Sequence, residues 1–205
     1  MAKYTVEEVR EKYEKMAPRY DWVEGVPEVL GLWKLRRDLI RRAKGSILEV
    51  AAGTGRNFRY YPKGRHITAV DATPAMLKIA GPKAKKLGLD VQFQIMAGEA
   101  LAFPDHSFDT VVSTLTLCTF SDPVKALQEM KRVCRPDGRI LLLEHGRSSV
   151  PWLARWQDRH EAGHAEIVGC HWNREPLDLV RKAGFNPVEV RRLFFDMFYL
   201  IETPP

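Results

Sequence analysis

A chain of 205 residues with 45% hydrophobic and 28% charged side chains has the size and balance of one soluble globular domain, which excludes a disordered or collagen-like polymer. Its three cysteines, Cys118, Cys134 and Cys170, form no CxxC pair and suit a reducing compartment, and no stretch reaches the roughly 18 apolar residues of a membrane span. Residues 1–15 are too charged for a secretory signal and too acidic for a transit peptide, so a cytoplasmic location is expected; the net charge of +6 gathers at Lys34, Arg36, Arg37, Arg41, Arg42 and Lys44, first a solvated helix face and second a peripheral contact for anionic membrane.

In chain order, residues 5–16 and 27–43 read as amphipathic helices, and Pro18 should stop the first of them within Ala17-Pro18-Arg19-Tyr20-Asp21. The short apolar run from Ser46 to Ala51 leads into Gly53-Thr54-Gly55 and predicts a buried strand entering a tight turn. A second strand spans 66–70, with Asp71 at its tip. A helix over 74–87 and strands over 91–95 and 108–113 follow. Asp122 is the expected N-cap, and Pro123 the first turn, of a helix reaching about residue 134. A fifth strand covers 139–144. After helices near 152–165 and 174–183, two strands at 187–191 and 194–202 are joined by so short a turn that they must pair antiparallel. Strands alternating with helices predict an α/β fold, a parallel sheet covered on both faces, with its ligand crevice beyond the carboxyl ends of the strands.

The crevice is marked by Glu49-Val50-Ala51-Ala52-Gly53-Thr54-Gly55-Arg56-Asn57, followed by Asp71. Glycine at 53 and 55 lets the backbone turn sharply and approach a ligand closely. The third glycine of a dinucleotide fingerprint would fall at Phe58, and no P-loop Gly-Lys-Ser/Thr is present, so the site suits a nucleoside without phosphates. A carboxylate at the tip of the neighbouring strand can accept both ribose hydroxyls, which assigns that role to Asp71. Glu49 could also cap the loop by accepting its amides. Phe58, Met76 and Phe103 read first as core, although Met76 is also placed to flank a purine.

Several motifs in order, Tyr20-Asp21, the Glu49 to Asn57 loop, Asp71, Gly98-Glu99, Phe103-Pro104-Asp105-His106-Ser107-Phe108-Asp109 and Arg135-Pro136-Asp137-Gly138, resemble the class I S-adenosylmethionine-dependent methyltransferases over essentially the whole chain. The resemblance implies a Rossmann-like seven-stranded sheet: five parallel strands plus a C-terminal antiparallel hairpin, helices on both faces and an N-terminal helical cap. It divides one domain into a cap (1–44), a cofactor-binding core (45–145) and acceptor-side helices with the terminal hairpin (146–205). S-Adenosyl-L-methionine is the implied cofactor and S-adenosyl-L-homocysteine its product. Tyr20, Glu49, Ala51, Gly53, Gly55, Asn57, Asp71, Ala72, Met76, Gly98, Glu99 and Thr114 are the implied cofactor-binding residues, with Thr114 to Leu117 lining the methyl-transfer pocket. Ala97-Gly98-Glu99 departs from relatives whose acidic residue takes the adenine amino group, so backbone or Glu99 must serve. Tyr13, Tyr20 and Asp21 would close a lid, and His145, at the end of the fifth strand, is the candidate base or orienter of the acceptor, alongside Tyr20 and Asp21. A local structural role for His145 is equally open.

Methyl transfer from a sulfonium is an in-line displacement on an activated carbon, so a dedicated base is dispensable and the acceptor is hard to read. Where nucleic-acid amino methyltransferases carry a Pro-Pro-Tyr type motif, this chain has Ser113-Thr114-Leu115-Thr116-Leu117-Cys118, too small and apolar to stack a base. Nucleic acid is therefore disfavoured. The segment from Lys12-Tyr13 to Asp21 resembles quinone C-methyltransferases and bacterial phospholipid N-methyltransferases. Ser113 to Cys118, Glu144-His145, Trp152, Trp156-Gln157 and Gly169-Cys170-His171-Trp172-Asn173-Arg174-Glu175 resemble the methyltransferase-like thiol methyltransferases. A small or lipid-like lipophilic acceptor is expected, with thiol, amine or activated carbon open and the oligomeric state unassigned. Trp152, Trp156 and Trp172 could wall its pocket or simply pack, and Cys118 reads as a small buried residue. Rival readings are a protein methyltransferase, a non-catalytic cofactor-binding scaffold, and a zinc hydrolase. The last rests on His160-Glu161-Ala162-Gly163-His164, an HExxH pattern, but Gly163 weakens the helix, and Ile167 and Cys170 stand where metzincins need glycine and histidine. No catalytic metal is expected, only incidental capture by His160, His164, Cys170 and His171.

Overall fold

Short apolar segments that are buried on both sides can only be central strands, and the computed structural model, which describes residues 4–23, 25 and 28–205, is built around them. Ile47–Val50 (β1), His66–Asp71 (β2), Asp90–Ile95 (β3), Phe108–Thr114 (β4) and Cys134–His145 (β5) run parallel, while Glu189–Leu193 (β6) and Phe198–Thr203 (β7) pair antiparallel. The order across the sheet is β3-β2-β1-β4-β5-β7-β6, so the last strand inserts between β5 and β6. The chain leaves β1 toward β2 and returns on its other side as β4. The topological switch point therefore lies between the carboxyl ends of β1 and β4, where this architecture binds ligands.

Alternation along β5 shows how the sheet is covered. Ile140 and Leu142 join Leu127, Met130 and Val180 on one face, beneath Pro123–Val133 (α4) and Pro176–Lys182 (α6). Leu141 and Leu143 join Leu39, Ile40, Ala80 and Ala84 on the other, beneath Trp33–Ile40 (α2) and Pro74–Leu87 (α3). A buried leucine or isoleucine contributes about 1.5–3 kcal/mol, so the double layer is the main source of stability. The two other long helices are Val6–Val23 (α1) and Pro151–Val168 (α5); α1 packs on α3 and touches α5. Among the described residues, no helix is long and apolar enough to cross a membrane.

Four expectations are corrected. Pro18 lies inside α1 and does not end it; the last turn is held from outside, because Asp21 accepts the Thr54 hydroxyl at 2.7 Å and pairs with Arg56 and Lys83. The helix expected over 27–43 breaks at Gly31, whose φ of 122° is not helical, leaving a π-helical turn at Glu28–Leu32 before α2. The first hairpin strand is shifted two residues along the chain and the second is shorter than expected, since Phe194, Phe195 and Asp196 all adopt positive φ and reverse the chain there. The basic run is also no uniform solvated face: Lys34 and Arg41 are exposed, Arg42 bridges Glu189 and Glu202, and Arg36 is only 3% exposed. Asp122 does cap α4, accepting the Lys125 amide at 3.0 Å.

Candidate active site

The loop after β1 is built from left-handed backbone. Ala51, Gly53 and Gly55 have φ of 53°, 56° and 76°, and the alanine carries the strain that the glycines avoid. A Cβ at Gly55 would come 2.6 Å from the Phe58 ring, whereas one at Gly53 would meet nothing within 4 Å. Gly55 thus serves close packing and Gly53 faces open space. At the tip of β2, Asp71 Oδ2 accepts the Gly53 amide and Oδ1 the Thr73 amide, both at 2.8 Å. Burial pushes its carboxyl upward, against the pull of those two amides. Each oxygen keeps a second lone pair, and Asp71 lines the cleft, so it can pin the loop and still accept hydroxyls.

One cleft is lined by Tyr20, Ala51, Gly53, Asn57, Asp71, Ala72, Met76, Gly98, Glu99 and Thr114. Ten of the twelve expected cofactor residues therefore meet at the switch point. The methyltransferase domain family matches residues 48–142, the stretch that supplies most of this wall. Human thiol S-methyltransferase TMT1B is 33% identical over 170 residues, covering 77% of this chain and 70% of its own. The chain belongs to the S-adenosylmethionine-dependent methyltransferases. The mitochondrial methyltransferase OMS1 of Saccharomyces cerevisiae is 30% identical over 200 residues, 88% of this chain, which spans only 42% of that protein's length. Among solved structures, the YcgJ protein of Bacillus subtilis superposes with a TM-score of 0.63 at 26% identity, covering 79% of this chain and 71% of that one.

Two expected cofactor residues of this methyltransferase stand behind the cleft. Gly55 is one; Glu49 is the other, and it does not cap the loop through amides. Its carboxylate accepts Asn57 Nδ2 and the Tyr61 hydroxyl, each at 2.8 Å. Asn57 in turn accepts Arg36 Nη1 at 2.8 Å, and Arg36 Nη1 also reaches the Thr114 hydroxyl at 2.9 Å. Burial raises the Glu49 carboxyl to about 7, although Tyr61, Asn57 and Arg36 all favour its ionised form. The folded state thus holds this proton more tightly than the unfolded chain does, so the stability it contributes is lost as pH rises from about 4.5 through about 7. Glu49→Gln is expected to flatten that decline by roughly 3 kcal/mol. Urea unfolding of both proteins across the interval checks it, and parallel pH profiles would count against the assignment.

Glu99 Oε1 accepts the amides of Ser121 at 2.9 Å and Asp122 at 3.4 Å, so it braces the start of α4 as well as facing the cleft. A Cβ at Gly98 would lie 2.8 Å from the Phe120 ring, so any larger side chain there would have to displace that ring. Met76 and Phe58 are each 1% exposed and satisfy the packing reading, Met76 also lining the cleft.

The lid and the candidate base divide. Tyr13 and Tyr20 line the cleft, their rings 6.1 Å apart. Asp21 does not line it. Burial opposes ionisation of Asp21, but hydrogen bonds from Lys83 and Thr54 outweigh that and hold the carboxyl below its usual range, so it is an anchor for α1 and a poor base. His145 is not among the residues lining the cleft either: its Nε2 lies 3.4 Å from Cys170 Sγ, beside Cys118. The expected crevice-facing imidazole is thereby corrected, because the β4 loop takes the cleft side of the β5 end. Trp152 and Trp156 are 65% and 48% exposed and do not line the cleft. The HExxH histidines do not converge. His160 bonds its own helix at the Trp156 carbonyl, His164 stacks on Trp172, and Glu161 pairs with His171 at 2.6 Å. Sequence reasoning missed Arg36 as a cleft residue. The signal was present, since an arginine among Leu32, Leu35, Leu39 and Ile40 sits on the buried stripe of its helix.

Proposed function

We propose that this methyltransferase moves the methyl group of S-adenosylmethionine to the sulfur of a small lipophilic thiol. The supporting observation is the chemistry of the cleft lining: among the described residues it has no histidine, and its two carboxylates, Asp71 and Glu99, already hold backbone amides. With Asp71 engaged by two amides and Glu99 by the amide of Ser121, an acceptor that ionises unaided near neutral pH is favoured. A thiol does, being partly thiolate near neutral pH, whereas a protonated amine must first lose a proton to something. Val6, Val9 and Leu115 give the cleft an apolar wall suited to a lipophilic acceptor. The similarity to TMT1B, a thiol S-methyltransferase by name, points the same way. The thiolate lone pair attacks the methyl carbon, the carbon–sulfonium pair returns to sulfur as S-adenosylhomocysteine, and the thiol proton leaves to water.

In this reading Asp71 accepts the ribose hydroxyls, Met76 and Gly98-Glu99 border the adenine, and the Gly53 loop holds the methionine part. Tyr13 and Tyr20 close over the sulfonium. Release of S-adenosylhomocysteine is the assay, with alkyl thiols, a hydroquinone precursor and phosphatidylethanolamine as acceptors. Alkyl thiols are expected to react, at a rate that climbs about tenfold per pH unit below the thiol pKa at subsaturating thiol. Tight product binding with no thiol turnover would sink the reading, and turnover of the hydroquinone alone would move the methyl group to carbon.

A further inference from the structure

We propose that Cys118, His145 and Cys170 form a zinc-binding site that pins the wall of the cleft and lies outside it. Three separate elements bring these donors together: the loop after β4, the end of β5, and the residue after Gly169, which caps α5 in a left-handed conformation. Two thiol sulfurs and an imidazole nitrogen all lie within 4.8 Å of one another, with 3.4 Å between Cys170 Sγ and His145 Nε2. A tetrahedral zinc ion separates a sulfur and a nitrogen ligand by about 3.6 Å, so the Cys170–His145 pair already stands near coordination spacing, with Cys118 Sγ within reach of both.

Other contacts hold the ligand-bearing segments in place. The His171 amide donates to the Cys118 carbonyl at 2.9 Å, tying the two cysteine segments together. Glu144 accepts the amides of Thr116 and Leu117 at 3.0 and 3.1 Å, and Arg174 Nη1 donates to the carbonyls of Leu117 and Phe120 at 2.5 and 2.8 Å. Such a site needs little reorganisation. Two thiolates and an imidazole select a thiophilic ion such as zinc over magnesium or calcium, and the two thiolates neutralise its charge. Loading releases the two thiol protons to solvent. Among the described residues the cluster offers three donors, so the fourth position falls to a water-sized ligand, and half-buried His145 provides the approach. Thr116 and Thr119, on either side of Cys118, line the cleft, so the ion would stiffen the acceptor wall without touching the acceptor.

The test uses the full chain, fully reduced and stripped with chelator, titrated with cobalt(II) as a spectroscopic probe. One equivalent is expected to bind with a sulfur-to-cobalt charge-transfer band and intense tetrahedral bands in the visible, all abolished by added zinc. Cys118→Ser and Cys170→Ser should each lower the charge-transfer intensity and weaken binding about 100-fold or more, while S-adenosylhomocysteine binding reports that the variants are folded. Reduced wild-type protein that binds S-adenosylhomocysteine yet takes up neither cobalt nor zinc would overturn the proposal. So would a Cys118–Cys170 disulfide that forms in air and is indifferent to saturating zinc. Neither result bears on which acceptor is methylated.

Discussion

Asp71→Ala is expected to weaken S-adenosylhomocysteine binding by at least about 100-fold in titration calorimetry, because two hydroxyl hydrogen bonds to a carboxylate are worth about 1.5–3 kcal/mol each. The same change strips the Gly53 and Thr73 amides of their acceptor. Gly53 stands at a positive φ beside open space, so the loop loses its position as well as its partner. A modest loss of stability should accompany the change, reduced by the relief of burying a carboxyl whose ionisation is opposed by desolvation. Asp71→Asn separates the contributions. It keeps one acceptor oxygen but turns an N–H toward a donor, and should fall between wild type and alanine. Because ribose is common to both ligands, 5′-methylthioadenosine should lose as much affinity as S-adenosylhomocysteine. Binding within about threefold of wild type for either ligand would remove Asp71 from the ribose.

The legibility of the site follows from how local each cue is. The turn after β1 and the acid at the tip of β2 are short-range features with steric causes, and Gly53 and Asp71 could be placed from their neighbours alone, whereas Gly55 turned out to serve packing on Phe58. The sheet was equally readable, since the buried strands alternate with helices and the short C-terminal connection allows only antiparallel pairing. What failed depended on partners distant in the chain. Pro18 removes a helical hydrogen bond, yet Thr54, Arg56 and Lys83 hold the turn beyond it. His145 was placed by strand direction alone, and its neighbours Cys118 and Cys170 come from segments far away in sequence. HExxH erred the other way: a compact linear pattern whose two histidines find separate partners once α5 forms. Arg36 shows both sides of the lesson, being visible as a charge on an apolar stripe but interpretable only with Asn57 and Thr114 beside it.

Arg36→Met should lower S-adenosylhomocysteine affinity about 100-fold while leaving 5′-methylthioadenosine within a few-fold, an outcome opposite in pattern to that of Asp71→Ala. The guanidinium is 3% exposed and lines the cleft next to Asn57 and Thr114, on the side of the Gly53 loop. A carboxylate of the methionine part would find in it a buried cation, and charge-assisted hydrogen bonds in such a setting account for a loss of this size. Methylthioadenosine has no amino-acid carboxylate to lose. Stability should fall as well, by about 3 kcal/mol, since Arg36 Nε and Nη2 hold Glu28 Oε1 at 2.8 and 2.7 Å. Arg56, 3.6 Å from the same oxygen, keeps Glu28 from being stranded and limits that cost. Arg36→Lys retains the charge but cannot span Glu28, Asn57 and Thr114 together, so it should recover part of the S-adenosylhomocysteine affinity and less of the stability. Equal losses for both ligands would show that Arg36 only braces the loop, and the methionine carboxylate would then have to be sought on Arg10 or Arg56.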